Sequence, residues 1–139
     1  MKPETLEARI VKRIDRKRGN VFLRADFEDL GGYDQVGRAL RKIVREGRLA
    51  RVGQGLYARA KPSISRGQPI PVRGLATLRE ALGRVGIETT PTRLEHAYNA
   101  GGTTQVPTGR VVGVTRRVRR KVGYGGIKLS FERIRAAGR

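Results

Sequence analysis

The 139-residue chain has no cysteine, no tryptophan, a single histidine, and 12 acidic residues against 31 lysines and arginines. Without cysteine, disulfides and thiolate chemistry are excluded, and the composition suits a reducing compartment. His96 alone cannot supply a histidine-based metal cluster. It precedes Tyr98 and Asn99 on a short helical segment and reads as structural. Beyond residue 60 the carboxylates are Glu80, Glu88, Glu95 and Glu132, too scattered for paired acid–base work. No stretch approaches the roughly 18 consecutive apolar residues of a spanning helix. The opening Met1-Lys2-Pro3-Glu4 lacks the apolar stretch of a signal peptide. These absences argue against an enzyme, a cofactor, a bound metal or a membrane protein. They lead to the expectation of a soluble cytoplasmic protein.

What the chain does have is positive charge. The formal net charge is +19 and the isoelectric point is near 11.6. Charge so one-sided repels itself unless an anion is nearby, and nucleic acid is the usual partner. Aromatics make up only 5% of the residues, so stacking platforms for single-stranded bases are sparse. That composition favours duplex DNA over RNA. An RNA-binding or ribosome-associated basic protein is the alternative, and an adaptor docking an acidic protein is a third possibility.

Hydrophobic periodicity divides the chain into an α+β arrangement of two parts. Leu6, Ile10, Val11 and Ile14 recur at helical spacing, predicting a helix over 3–16 with Pro3 near its start. Val21-Phe22-Leu23 has the length of a minimal strand. A brief helix is expected over Ala25–Leu30, ended by Gly31-Gly32. From Tyr33 to Glu46, Val36, Ala39, Leu40, Ile43 and Val44 fall on one helical face, opposite Gln35, Arg38, Arg41, Lys42 and Arg45. Gly47 stops that helix. Arg48–Val52 and Leu56–Arg59 flank Gly53-Gln54-Gly55 and predict a β-hairpin. Residues 60–73, with Pro62, Gly67, Pro69 and Pro71, read as a linker.

The second part, 74–139, is expected to be a small α+β domain. Leu75, Leu78, Leu82 and Val85 mark a helix, and Pro91-Thr92 opens another through Ala100. A β-meander is predicted beyond it, with strands at Val111–Val114, Val118–Val122 and Ile127–Glu132. No internal repeat is visible.

Helix, short strand, helix, turn, basic helix and hairpin follow one another in residues 1–59 as in a winged helix-turn-helix. A helix fits the major groove of B-DNA, and the wing reaches the neighbouring backbone or minor groove. Gln35 and Arg38 are the candidates for base edges; Arg41, Lys42 and Arg45 for phosphates; Arg51 and Gln54, near the wing tip, for backbone or minor groove. A second basic cluster is Arg116, Arg117, Arg119, Arg120 and Lys121. Residues 61–139 carry 16 basic against 4 acidic side chains, net +12, whereas residues 1–60 are net +7. Four readings of this cluster stay open: DNA backbone contact, RNA contact, docking on an acidic protein, or charges that only avert strand pairing at an edge. It stands too far along the chain to be counted with the wing, so the two parts are expected to carry separate tasks. Gly32–Ala39 also mimics the first six positions of a phosphate-binding loop, but Arg38 and Ala39 replace the Lys and hydroxyl that do its chemistry.

The run Gly32-Tyr-Asp-Gln-Val-Gly-Arg-Ala-Leu-Arg-Lys-Ile-Val-Arg-Glu-Gly-Arg-Leu-Ala-Arg-Val-Gly-Gln-Gly-Leu-Tyr57 resembles the winged-helix segment of AbiEi-type antitoxins. These belong to bacterial abortive-infection systems, the type IV toxin–antitoxin modules. Ala97-Tyr98-Asn99-Ala100-Gly101 followed by Thr104-Gln105-Val106-Pro107 is similar to their C-terminal domain, and the resemblance runs from about residue 5 to 133. It implies a repressor that binds repeats in its own promoter. It also implies opposition to a nucleotidyltransferase-like toxin without a stable complex. The chain itself is expected to be a monomer or weak dimer. On this resemblance the DNA role falls on Gln35, Arg38, Arg41, Lys42, Arg45, Arg51 and Gln54. The C-terminal half is shorter than in the better-known members.

Overall fold

Thr5 opens the first helix, α1 (Leu6–Arg16), its Oγ1 accepting from the Ala8 N–H at 3.1 Å. The computed structural model describes residues 4–61 and 69–135. Ile10 and Ile14 turn the apolar stripe of α1 inward. At its C-terminal end Arg59 takes up carbonyls of the last turn and the cap, donating to Ile14 at 2.5 Å and to Lys17 at 2.7 Å, and reaches the Gly19 carbonyl just beyond at 3.1 Å. Strand β1 (Val21–Leu23) follows. The expected helix over Ala25–Leu30 contracts to a 3₁₀ turn at Arg24–Phe27. Its bonds continue as three-residue steps, Glu28 to Ala25 and Leu30 to Phe27. Gly31-Gly32 follow at once and leave no room for a longer helix.

Helix α2 (Tyr33–Arg45) buries Val36, Gly37, Ala39, Leu40 and Ile43, the face that the periodicity predicts. Gly47, at φ +85°, releases the chain into β2 (Leu49–Gly53), which pairs antiparallel with β3 (Leu56–Lys61). A register shift between Arg51 and Gly53 bends this hairpin near its tip. β1 lies against the other edge of β3, giving the order β1-β3-β2.

The stretch expected as a linker joins this sheet. β4 (Ile70–Pro71) pairs with Lys61 and Ala60 of β3, while 62–68, with Pro62 and Gly67, lie outside the described residues. Helix α3 (Leu75–Arg84), β5 (Thr89–Thr90) and α4 (Arg93–Asn99) come next. α4 is opened by Thr92, whose hydroxyl and the Glu95 carboxylate cap each other's backbone N–H at 3.0 Å. The chain ends in β6 (Val111–Val114), β7 (Gly123–Tyr124), β8 (Ile127–Lys128) and β9 (Ser130–Arg133). Mixed α+β architecture is therefore what the chain adopts.

The β-meander is corrected. β6 is flanked by β5, antiparallel, and by β9, parallel, and β7 with β8 makes a separate two-stranded ribbon. A parallel pair cannot be closed by a tight turn and needs a long crossover. Residues 115–122 supply part of it as irregular chain rather than as the expected strand at Val118–Val122. Within the expected strand Arg119, Arg120 and Lys121 are all exposed, and the segment takes no strand partner. Only Val118, half-buried, and Val122, buried, anchor the segment. The expected third strand breaks at Leu129, whose N–H returns to the Val122 carbonyl at 3.0 Å.

Strand alternation explains how the two parts of the chain meet. Phe22, Leu49 and Tyr57 face α1 and α2, forming one core with Ile10, Ile14, Phe27, Val36, Leu40 and Ile43. Val21, Val52, Leu56 and Ala58 face the opposite way. They pack with Leu78, Ala81, Leu82, Val112, Val114, Val122 and Leu129. The division expected at 60–73 therefore does not coincide with a break in packing. Polar contacts reinforce this second layer: the Glu80 carboxylate accepts from the Asn20 and Val21 N–H groups at 2.7 and 3.0 Å. Arg84 meets Asp26 at 2.6 Å. Among the described residues no helix is long and apolar enough to cross a membrane.

Candidate nucleic-acid interface

Burying Val36, Leu40 and Ile43 forces the polar face of α2 outward, so Gln35, Arg38, Arg41, Lys42 and Arg45 are all exposed. They are not equivalent. Lys42 is held 3.0 Å from Glu7 of α1, and that hydrogen-bonded partner raises the ammonium pKa above its ordinary value. The Gln35 side-chain oxygen accepts from the Gly32 N–H at 3.1 Å and so helps to cap α2. Arg38, Arg41 and Arg45 have no carboxylate partner among the described residues.

Arg41 opens onto a broad groove of about 1240 Å³ whose walls come from distant parts of the chain. The β2–β3 hairpin supplies Arg51, Gln54 and Tyr57, and the 3₁₀ turn supplies Arg24. The third wall is Arg119, Arg120 and Lys121. The basic segment that stands apart in sequence thus lies against the hairpin tip, and the reading that separated it from the wing is corrected. Arg120 Nη1 donates to the Gln54 carbonyl at 3.1 Å. The Lys121 carbonyl comes so near Gly53 that a Cβ there would sit 3.0 Å from it. Arg51 Nε donates within its own turn to the Gly53 carbonyl at 3.3 Å. Six of the residues lining the groove are cationic, and none of those described is acidic.

The cluster at 116–121 therefore splits. Arg116 and Arg117 line a different, smaller cavity of about 280 Å³ together with Glu88. Half-buried Val118 divides the two sets.

Two groove residues escaped the sequence reading. The Arg24 guanidinium carbon lies 3.6 Å from the centre of the Tyr33 ring, and Arg24 Nη2 donates to the Tyr33 carbonyl at 2.7 Å. The guanidinium also rests against Gly37, where any Cβ would collide with it. Tyr33 itself is 73% exposed. The available signal was Gly37, since a glycine inside a helical pattern carries a helix penalty and marks a close approach. His96 is exposed on α4, and the Thr104–Pro107 segment runs irregularly between α4 and β6 with Val106 facing solvent. Neither lines the groove.

The sequence pattern of DUF6088, a family of unknown function, matches residues 9–136. The chain belongs to this family. The match takes in both cores and every cationic residue of the groove, so in DUF6088 the two parts of the chain are included in one pattern. No curated protein and no solved structure matches the chain.

Proposed function

We propose that this DUF6088 member is a DNA-binding transcriptional repressor. Residues 6–61 act as a winged helix, α2 entering the major groove and the β2–β3 hairpin acting as the wing. The observation that supports this reading is the exposed basic face of α2, from which Arg41 opens onto the same groove as the cationic hairpin tip. Such a groove suits a polyanion, and a protruding helix suits the width of the B-DNA major groove. Arg38 is the base-reading candidate. Arg41 and Arg45 are phosphate contacts, whereas Lys42 must first exchange Glu7 for a phosphate. The antitoxin assignment, with a nucleotidyltransferase-like toxin as its functional opponent, rests on the AbiEi resemblance at 32–57 and 97–107. A cytoplasmic location follows from a DNA target.

Fluorescence anisotropy with the protein's own upstream region, a random duplex and an RNA of equal length tests the assignment. The upstream duplex is expected to bind most tightly. Arg38→Ala should reduce the preference for it by roughly 1–3 kcal/mol, the worth of a bidentate base contact. Arg45→Ala should weaken all duplexes alike and lower the salt slope by about one. Tighter binding of RNA would replace the duplex reading, and uniform losses from both variants would overturn the division into base and phosphate contacts.

A further inference from the structure

We infer that the Arg119–Lys121 loop is a second arm of the DNA-binding surface, gripping the backbone of the same duplex that α2 engages. This rests on the duplex reading above and extends it to a part of the chain outside the winged helix. The loop is not a loose tail. Val122, at its root, is buried in the core behind the sheet, and Leu129 bonds back to the Val122 carbonyl. At its crest Arg120 holds the wing-tip carbonyl of Gln54, and the Lys121 backbone rests on Gly53, where a side chain would crowd it. The C-terminal half therefore fixes the wing and presents its own cations beside it.

Electrostatics identify the ligand. Arg119, Arg120 and Lys121 stand together with Arg24, Arg41 and Arg51 on one groove without a described carboxylate. Like charges held so close repel, and this arrangement is relieved by an anion long enough to reach all of them. A duplex backbone carries one charge per roughly 1.7 Å of axis and has that reach. An acidic protein surface would meet the same charges, but the groove is continuous with the exposed face of α2, which favours a single extended ligand. Arg116 and Arg117, lining the other cavity, take no part. The adjoining halves of one basic run thus have different roles.

The test compares the full-length wild type with two variants, Arg119→Gln/Arg120→Gln/Lys121→Gln and Arg116→Gln/Arg117→Gln. Binding of the upstream duplex and of a random duplex is followed from 50 to 300 mM salt. Losing three phosphate contacts lowers the slope of log K against log salt by about 2.7, and affinity by about a hundredfold near 0.15 M salt. This loss is expected for the 119–121 variant on both duplexes, with the 116–117 variant close to wild type. Circular dichroism and thermal melting check folding. Arg119→Gln/Lys121→Gln keeps the Arg120 bond to the wing and should still lose about 1.8 of slope. Wild-type slope and affinity in the 119–121 variant overturn the inference while leaving the function of α2 standing. Equal losses in the two charge-neutralised sets also overturn it, because net charge alone would then explain them. If the wild type binds no duplex, the proposed function falls and this inference with it.

Discussion

Replacing Gly37 by Ala should have opposite consequences depending on whether Arg24 is present. A glycine in a helix interior costs about 1 kcal/mol relative to alanine, so Gly37→Ala would ordinarily stabilise α2. Here a Cβ would displace the Arg24 guanidinium from its seat on the helix. The displacement loses the stack on Tyr33, held at 3.6 Å, worth about 0.5–1 kcal/mol at a largely exposed site. It also loses the 2.7 Å bond to the Tyr33 carbonyl, at about 0.5–1.5 kcal/mol. Loss and gain are similar, so Gly37→Ala should leave the wild type unchanged or slightly less stable. In an Arg24→Ala background nothing blocks the methyl group, and the same substitution should stabilise by about 1 kcal/mol. Equilibrium urea unfolding of the four proteins closes the cycle, with a coupling energy of roughly 1–2.5 kcal/mol expected between the two sites. If Gly37→Ala changes stability equally in both backgrounds, within about 0.3–0.5 kcal/mol, Arg24 does not sit where this reasoning needs it.

Two further outcomes probe the two layers. Leu40 is fully buried at the centre of the α1–α2 core. Leu40→Ala should therefore destabilise by roughly 2–5 kcal/mol in urea unfolding, and an unchanged midpoint would mean that α2 is turned the other way. Asp26 provides the pH-dependent contact. Partial burial disfavours its ionised form, yet the Leu23 N–H together with Arg84 and Lys17 outweighs that and holds the carboxyl below the usual range. Its folded value thus lies below the unfolded one, so its contribution is full above about pH 4 and disappears as pH falls through the lowered value. Asp26→Asn should be less stable than wild type at pH 7, with the gap narrowing as pH falls below about 4; a constant gap would remove Asp26 from the acid response.

Local elements were legible because their signals are local. The period of Val36, Ala39, Leu40 and Ile43 states which face of α2 is buried, and therefore which face carries Arg38, Arg41 and Arg45. Thr92 with Glu95 encodes the start of α4 by a reciprocal cap. Gly53-Gln54-Gly55 encodes the hairpin tip, with Gly55 at φ +67°. The short elements were less legible: Ala25–Leu30 has helical composition, but Phe27 must enter the core within one turn before Gly31-Gly32.

By itself the sequence determined the excess of positive charge, the order of helices and strands through residue 61, and the basic face of α2. These depend on composition and on spacings within a dozen residues. Tertiary structure alone decided that β1-β3-β2 has apolar faces on both sides, so that the second half of the chain packs behind it. It also decided that β6 pairs in parallel with β9, which a pattern of alternation cannot specify because it carries no direction. The groove was decided at the same level. Arg120 meets Gln54 across 66 positions of sequence, a contact with no periodic signature. It arises because Val122 and Leu129 must reach the shared core, and burying them draws the charged residues beside them up against the hairpin tip.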